Sequence, residues 1–359
     1  MKTRALKNYD SSLGCEVYDI DLNSDEEILA LGKLIADQCV VLIDQKISTE
    51  RLYQVMTTWG QASRALIHNY IADEKLTGRH WREIYLNLGL VGKKYSSVNK
   101  EMARAVSSVS YRKDQRNRPT GLFTNGELDW HSDQCATDDA PRTIGLQSVS
   151  DTQNSQTQFL CTHDAYESLS SDMRSMVKEL ICKHRWVNGA MAPDLNAVQS
   201  LVIRYNMVPL DGMETKLYSE NATGRSGIKL PSHSFDGFVG MSRAESQRVF
   251  DQIRSAIFQE KYVYTQDWND GQIVFMDQEI TLHKRPTNVK DGDKRTMARV
   301  ITYLDKLYPE HAPYNFVRFQ GKMLSHDEFA KLVDADRQAV FDLEQHNSYV
   351  TADEYEPHQ

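Results

Sequence analysis

In the stretch ELDWHSDQ, Glu127 to Gln134, a histidine and an aspartate stand two positions apart, His131 and Asp133. On a β-strand, residues i and i+2 project to the same side, so both side chains can address one ion. Neutral imidazole with one carboxylate suits Fe(II), and a second imidazole would complete the donor set of non-haem iron sites. Because HxD triples also arise by chance, the chain must supply the third ligand. Among its eleven histidines, His283 stands out, just past the apolar run Ile273–Met276. Twelve residues beyond it, KRTMARV places Arg295 and Arg299 at i and i+4, on one face of a strand. A guanidinium fork near such a site matches a carboxylate bidentately and would anchor a dicarboxylate cosubstrate.

These residues need a scaffold, and the hydropathy pattern supplies one. LGCEVYDIDL (Leu13–Leu22) alternates as a half-buried strand does, and CVVLI (Cys39–Ile43) reads as a short buried strand. RTIGLQSVS, QTQFLC, SLVIRYNMV, KLYSEN, QIVFMD and RTMARVITYL are further β segments. Helices are expected after Ser24, with Glu27 as its capping-box partner, and over STERLYQVMTTWG, ending at Gly60. Others are expected over AYESLSSDMRSMVKEL and over SRAESQRVFDQIRSAIFQ, where Ser242 and Glu245 form a box. SHDEFAKLVDADRQAVFDLEQ has the same signature in Ser325 and Glu328. The sum is a mostly β core with flanking helices, α+β in class.

Residues 1–310 form the expected core domain, with a polar, irregular insert at 62–120 that reads as a lid or binding loop. Residues 311–359 form a helical extension packing on the core, and that helix is an element on which a homo-oligomer could assemble. Lys and Arg number 42 against 50 Asp and Glu, a net charge of −8, with no basic stripe. Phosphate binding needs clustered cations, so nucleic acid is not the expected partner. No apolar run is long enough to span a membrane, and no secretory signal is present. Five scattered cysteines without a CxxC argue for a reduced, cytoplasmic protein with no disulfide frame.

The order of these segments resembles the TauD/TfdA family of Fe(II)- and 2-oxoglutarate-dependent dioxygenases. The likeness is tightest in GELDWHSDQ and runs through APRTIGLQSV, SQTQFLCTHDAYESLS and WNDGQIVFMDQEITLH to RTMARV, covering most of residues 13–305. The resemblance implies a double-stranded β-helix (jelly roll) core. It implies Fe(II) at His131, Asp133 and His283, and O2 as co-reactant. It implies 2-oxoglutarate held by Thr157 and Arg295, with Arg299 as the alternative anchor. The implied reaction hydroxylates a small polar molecule, of amino acid, carboxylate or sulfonate type, while 2-oxoglutarate becomes succinate and CO2. Asp133 bears on this: a glycine or alanine there would have suggested a halogenase.

Arg299, His68, Phe159 and Asn125 are candidates for substrate or cosubstrate contact. For several site candidates a plainer reading stands beside the functional one. Arg299 could be half of a structural ion pair, His68 a surface histidine, and Arg295 a solvated partner of Asp291 or Asp293. Trp130 and His163 read as structural. Three departures from the family pattern, Asn154-Ser155-Gln156, Gly271-Gln272 and Asp277-Gln278, bear on loop shape more than on chemistry. Two other function classes stay open: a catalytically silent jelly-roll binding protein, and another non-haem metal enzyme of cupin type.

Overall fold

The alternation of Ile273–Asp277 sets the layering of the molecule. Ile273 and Phe275 pack into one apolar cluster, Val274 and Met276 into another on the opposite face. A strand buried on both faces needs a cover on each, and the chain provides both. The computed structural model describes residues 1–63, 102, 105–110, 128–133, 141–184, 213–230, 235–286, 295–311, 316–319, 322–325 and 328.

In chain order the elements are β1 (Lys2–Ala5), β2 (Cys15–Tyr18), α1 (Asp25–Gln38), β3 (Val40–Ile43), α2 (Thr49–Trp59), β4 (Val106–Ser110), β5 (Leu128–His131), β6 (Arg142–Ser150) and β7 (Gln156–Cys161). Then follow α3 (Thr162–Glu167), α4 (Ser171–Glu179), β8 (Ile181–His184), β9 (Met213–Lys216), β10 (Tyr218–Glu220), β11 (Ser226–Ile228), β12 (Phe235–Phe238) and α5 (Arg243–Ile257). The chain continues through β13 (Val263–Asp267), β14 (Ile273–Asp277), β15 (Thr281–Arg285), β16 (Thr296–Tyr303), β17 (Phe316–Phe319) and β18 (Lys322–Ser325).

A seven-stranded sheet runs β1-β2-β3-β14-β6-β16-β4, and a four-stranded sheet runs β13-β7-β15-β5. The two enclose a shared core: Val40, Leu42, Ile144, Leu146 and Met297 come from the large sheet, Phe159 and Tyr264 from the small one. The outer face of the large sheet is covered by α1 and α2, through Leu31, Ile35, Met56 and Trp59. The Trp59 ring meets Phe275 edge-on, 5.4 Å between centroids. Fully burying side chains of this size contributes roughly 1.5–3 kcal/mol each. The outer face of the small sheet is covered by α3, α4 and α5, through Tyr166, Val177 and Ile253. Two facing, largely antiparallel sheets with helices outside form the expected jelly roll.

Several local expectations change. The strand expected over Leu13–Leu22 covers only Cys15–Tyr18, because Asp19 adopts φ 55° and breaks the extended run. The helix expected over Ala165–Leu180 is two helices: the Ser170 side chain accepts from Met173 N at 3.3 Å and starts α4 afresh. At α1, Ser24 caps Glu27 N, but the Glu27 carboxylate accepts from Asp21 N and the terminal amine instead of closing the box. The box at Ser242 and Glu245 is complete. Within the stretch expected to be an irregular insert, Val106–Ser110 forms β4 and pairs with β16. The extension opens with the antiparallel pair β17–β18, strands of four residues each, too short to show a period. The capping box of Ser325 and Glu328 is formed, while the rest of that helix and SLVIRYNMV lie outside the described residues. Among the described residues no helix is long and apolar enough to cross a membrane.

Candidate metal and cosubstrate centre

His131 is the last residue of β5, and β5 pairs antiparallel with β15 so that His283 lies directly across from it. Side chains opposite one another in such a pair are close neighbours. The two rings stand 4.1 Å apart between centroids. Asp133 is not on the strand, as the spacing suggested, but in the turn after it. Its carboxylate still converges, with Oδ1 3.7 Å from His131 Nε2. One ligand atom from each of His131, Asp133 and His283 lies within 4.8 Å of the others, so the trio could hold a metal ion.

The surroundings fit that donor set. His131 Nδ1 is 2.7 Å from the Asp129 carbonyl oxygen. A carbonyl can only accept, so Nδ1 carries the hydrogen and Nε2 keeps its lone pair for a metal. The turn is clamped from the large sheet: Gln278 Nε2 donates to Ser132 Oγ at 2.6 Å and to the Asp133 carbonyl, and Ser132 Oγ donates to the Gln278 carbonyl at 2.8 Å. Burial pushes the Asp133 carboxyl up, but the Arg299 guanidinium, His283 and His131 outweigh it and hold it at about 2. Arg299 Nη1 donates to Asp133 Oδ2 at 2.6 Å. This is the ion pair of the plainer reading, and Arg299 also lines the cavity shared with the trio.

Thr157 on β7 and Arg295, immediately before β16, line the same cavity as the trio. Arg295 is 4% exposed and so is not solvated, while Asp291 and Asp293 lie outside the described residues. Its Nη2 approaches Thr157 Oγ1 at 3.5 Å, and Nε lies 2.9 Å from Met297 Sδ. Val109, Leu128, Leu146 and Met276 form apolar walls, and Lys284 and Arg285 add cationic ones. Phe159 stands behind the cavity in the inter-sheet core, opposite His283 in the pairing and 6.2 Å from the Tyr264 ring. His68 and Asn125 lie outside the described residues. Trp130 is core, stacked on Phe258, and His163 Nδ1 bonds the Ser226 carbonyl, both structural as expected.

Sequence reasoning missed Trp268, whose Nε1 donates to Thr157 Oγ1 at 2.9 Å. The available signal was the alternation of Val263–Asp267, which forms β13 and pairs with β7. The departures noted above hold loops in place. Asn154 takes φ 65° before β7, and Gln272 Oε1 accepts from Asn269 N at 2.9 Å and Gln266 Nε2 at 2.8 Å.

A profile described as the taurine catabolism dioxygenase TauD, TfdA family matches residues 3–301. The chain belongs to the TauD/TfdA family. This makes it an oxidoreductase, a 2-oxoglutarate-dependent dioxygenase. The family is Fe(II)-dependent, and the trio described above could bind a metal. Its TauD/TfdA relatives are distant. An (S)-phenoxypropionate/alpha-ketoglutarate-dioxygenase of Sphingobium herbicidovorans is 25% identical over 203 residues, 54% of this chain and 69% of that protein. An alkylsulfatase of Acinetobacter baylyi is 24% identical over 181 residues, 48% of this chain and 55% of that protein. The structure of a putative alpha-ketoglutarate-dependent taurine dioxygenase from Burkholderia xenovorans superposes with a TM-score of 0.58 at 19% identity, covering 84% of this chain and 88% of that one. That of AAD-2 with Mn(II) and N-oxalylglycine gives 0.59 at 16% identity, covering 84% and 96%. At such identities these likenesses speak for the TauD/TfdA fold alone.

Proposed function

We propose that this dioxygenase holds Fe(II) on His131, Asp133 and His283, binds 2-oxoglutarate against Arg295 and Thr157, and hydroxylates a small anionic molecule. The observation that carries the reading is the convergence of three ligand atoms within 4.8 Å beside a buried arginine–threonine pair. An iron(II) ion there would supply the activation of O2 that the side chains cannot. The chain's own part is binding, orientation and exclusion of water. Asp133 stays ionised because Arg299 neutralises the oxygen turned away from His131. Arg295 offers its fork to a carboxylate in a buried setting, where the charge-assisted bond is strong. Val109, Leu146 and Met276 keep the reacting volume apolar.

Lys284, Arg285, Arg295 and Arg299 are among the residues that line the cavity. Cationic walls of this kind suit an anionic substrate of carboxylate, sulfonate or sulfate type. The named relatives, acting on a phenoxypropionate and an alkylsulfate, are consistent with such a class.

The test is isothermal titration of 2-oxoglutarate into the full chain with and without Mn(II), then a succinate-release screen of small anions with Fe(II) and ascorbate. Metal-dependent 2-oxoglutarate binding, lost in His283→Ala, is expected. Absence of any metal-dependent affinity would sink the enzyme reading, and hits confined to large uncharged apolar compounds would sink the anionic substrate.

A further inference from the structure

We infer that Trp268 is a positioning residue that turns Thr157 into an obligate hydrogen-bond donor, so that the berth selects a carboxylate over its amide. The inference rests on the reading that 2-oxoglutarate binds against Thr157 and Arg295.

A threonine hydroxyl has two acceptor lone pairs and one hydrogen. Trp268 Nε1, which can only donate, reaches Thr157 Oγ1 at 2.9 Å. Arg295 Nη2, also only a donor, approaches the same oxygen at 3.5 Å, beyond the usual bonding range. With one lone pair held by the indole N–H and two donors crowding the oxygen, an incoming third donor is disfavoured and the hydrogen is the bonding capacity best placed for a ligand. Thr157 lines the cavity beside Arg295, so the hydrogen is left for what binds there. Two donor groups side by side, a guanidinium and a hydroxyl, complement an acceptor-only group. A carboxylate is acceptor-only, whereas a carboxamide presents an NH2 that meets hydrogens on both.

Trp268 is well placed to enforce this. Its indole is 2% exposed and packs in the inter-sheet core with Phe159, Tyr264 and Met297. Its backbone N–H bonds the Ser155 carbonyl at 3.1 Å, just past the register in which Gln266 faces Thr157. The ring therefore cannot follow the hydroxyl if the hydroxyl turns. Without the indole N–H, Thr157 could rotate and offer a lone pair to an amide.

The experiment measures Kd by calorimetry for 2-oxoglutarate and for its C5 amide, 2-oxoglutaramate, on the Mn(II)-loaded full chain. The proteins are the wild type, Trp268→Phe, Thr157→Val, Arg295→Ala and the Trp268→Phe, Thr157→Val double variant. Should Trp268→Phe not fold, benzothienylalanine at 268 keeps the bicyclic shape and removes only the N–H. Trp268→Phe is expected to weaken 2-oxoglutarate about 5- to 10-fold, the usual worth of one buried hydrogen bond, and to narrow the acid-to-amide ratio. Mn(II) affinity should not move. The double variant should bind no more weakly than Thr157→Val alone, because Trp268 acts through Thr157. Additive losses, or an unchanged acid-to-amide ratio in Trp268→Phe, would overturn the inference. If neither Thr157→Val nor Arg295→Ala alters the Kd for 2-oxoglutarate, the berth itself is misplaced, which is a separate failure.

Discussion

Arg299 Nη1 donates to Asp133 Oδ2 across 2.6 Å, on the carboxylate oxygen opposite the one turned towards His131 Nε2. Asp133 is buried and Arg299 half-buried, and the arginine leaves Oδ1 as the oxygen facing His131. Arg299 thus orients the carboxylate of the candidate metal centre without joining the trio.

Arg299→Ala should weaken Mn(II) binding by about 10- to 100-fold, the range seen when partners of metal ligands are removed. The loss should grow as pH falls. With Arg299 present the Asp133 carboxyl sits at about 2 and is ionised throughout the working range. Without it, burial pushes the carboxyl up and protons compete with the ion. Titrations at pH 6 and pH 8 check this, and an affinity unchanged at both would show that the ion pair does not tune the ligand.

Asp277 should make the folded state less stable as pH rises. Burial, then the nearby Glu279 carboxylate, raises its carboxyl to about 7 despite bonds from the backbone N–H groups of Glu279 and Ile280. A folded-state value above the unfolded one means the native form holds its proton longer. The contribution is complete below about pH 4 and is lost as pH rises to about 7, at up to roughly 1.4 kcal/mol per pH unit. Asp277→Asn keeps an acceptor for the two N–H groups and cannot ionise. Urea unfolding from pH 4 to 8 should show a flatter profile for the variant, which should be the more stable protein above pH 7. Parallel profiles would mean that Asp277 does not titrate in this window.

Gly60→Ala should destabilise by about 1–3 kcal/mol, as overpacking does. A Cβ there would stand 2.3 Å from the Tyr303 carbonyl oxygen, a backbone atom that cannot swing aside. The Gly60 φ of 173° is ordinary extended backbone, so sterics alone set the cost. Gly224→Ala is the contrast: nothing lies within 4 Å of its Cβ, and only its φ of 77° resists, worth roughly 1 kcal/mol. Thermal unfolding should rank Gly60→Ala below Gly224→Ala, and the reverse order would contradict the packing argument.

Some of this was legible from residue order. Ser48 and Ser242 start helices where the pattern placed them, since a cap and the helix it begins are neighbours in sequence. The two-sided burial of Ile273–Met276 followed from an unbroken apolar run. The break at Ser170 did not, because a hydroxyl that caps a new turn looks the same in sequence as one facing solvent. β4 was hidden because Val106–Ser110 is mostly serine and owes its place to pairing with β16.

By itself the sequence determined the donor types, His131 and Asp133 two apart with His283, Arg295 and Arg299 downstream, and the family to which they belong. Only the tertiary structure decided how they are used. The β5–β15 register set His283 against His131, the approach of β16 gave Arg299 to Asp133, and β13 brought Trp268 under Thr157. The reason is physical. Residue identity carries charge, lone pairs and local spacing, whereas partners more than a hundred residues apart, as Arg299 is from Asp133, meet through strand register and sheet packing, which no local pattern encodes.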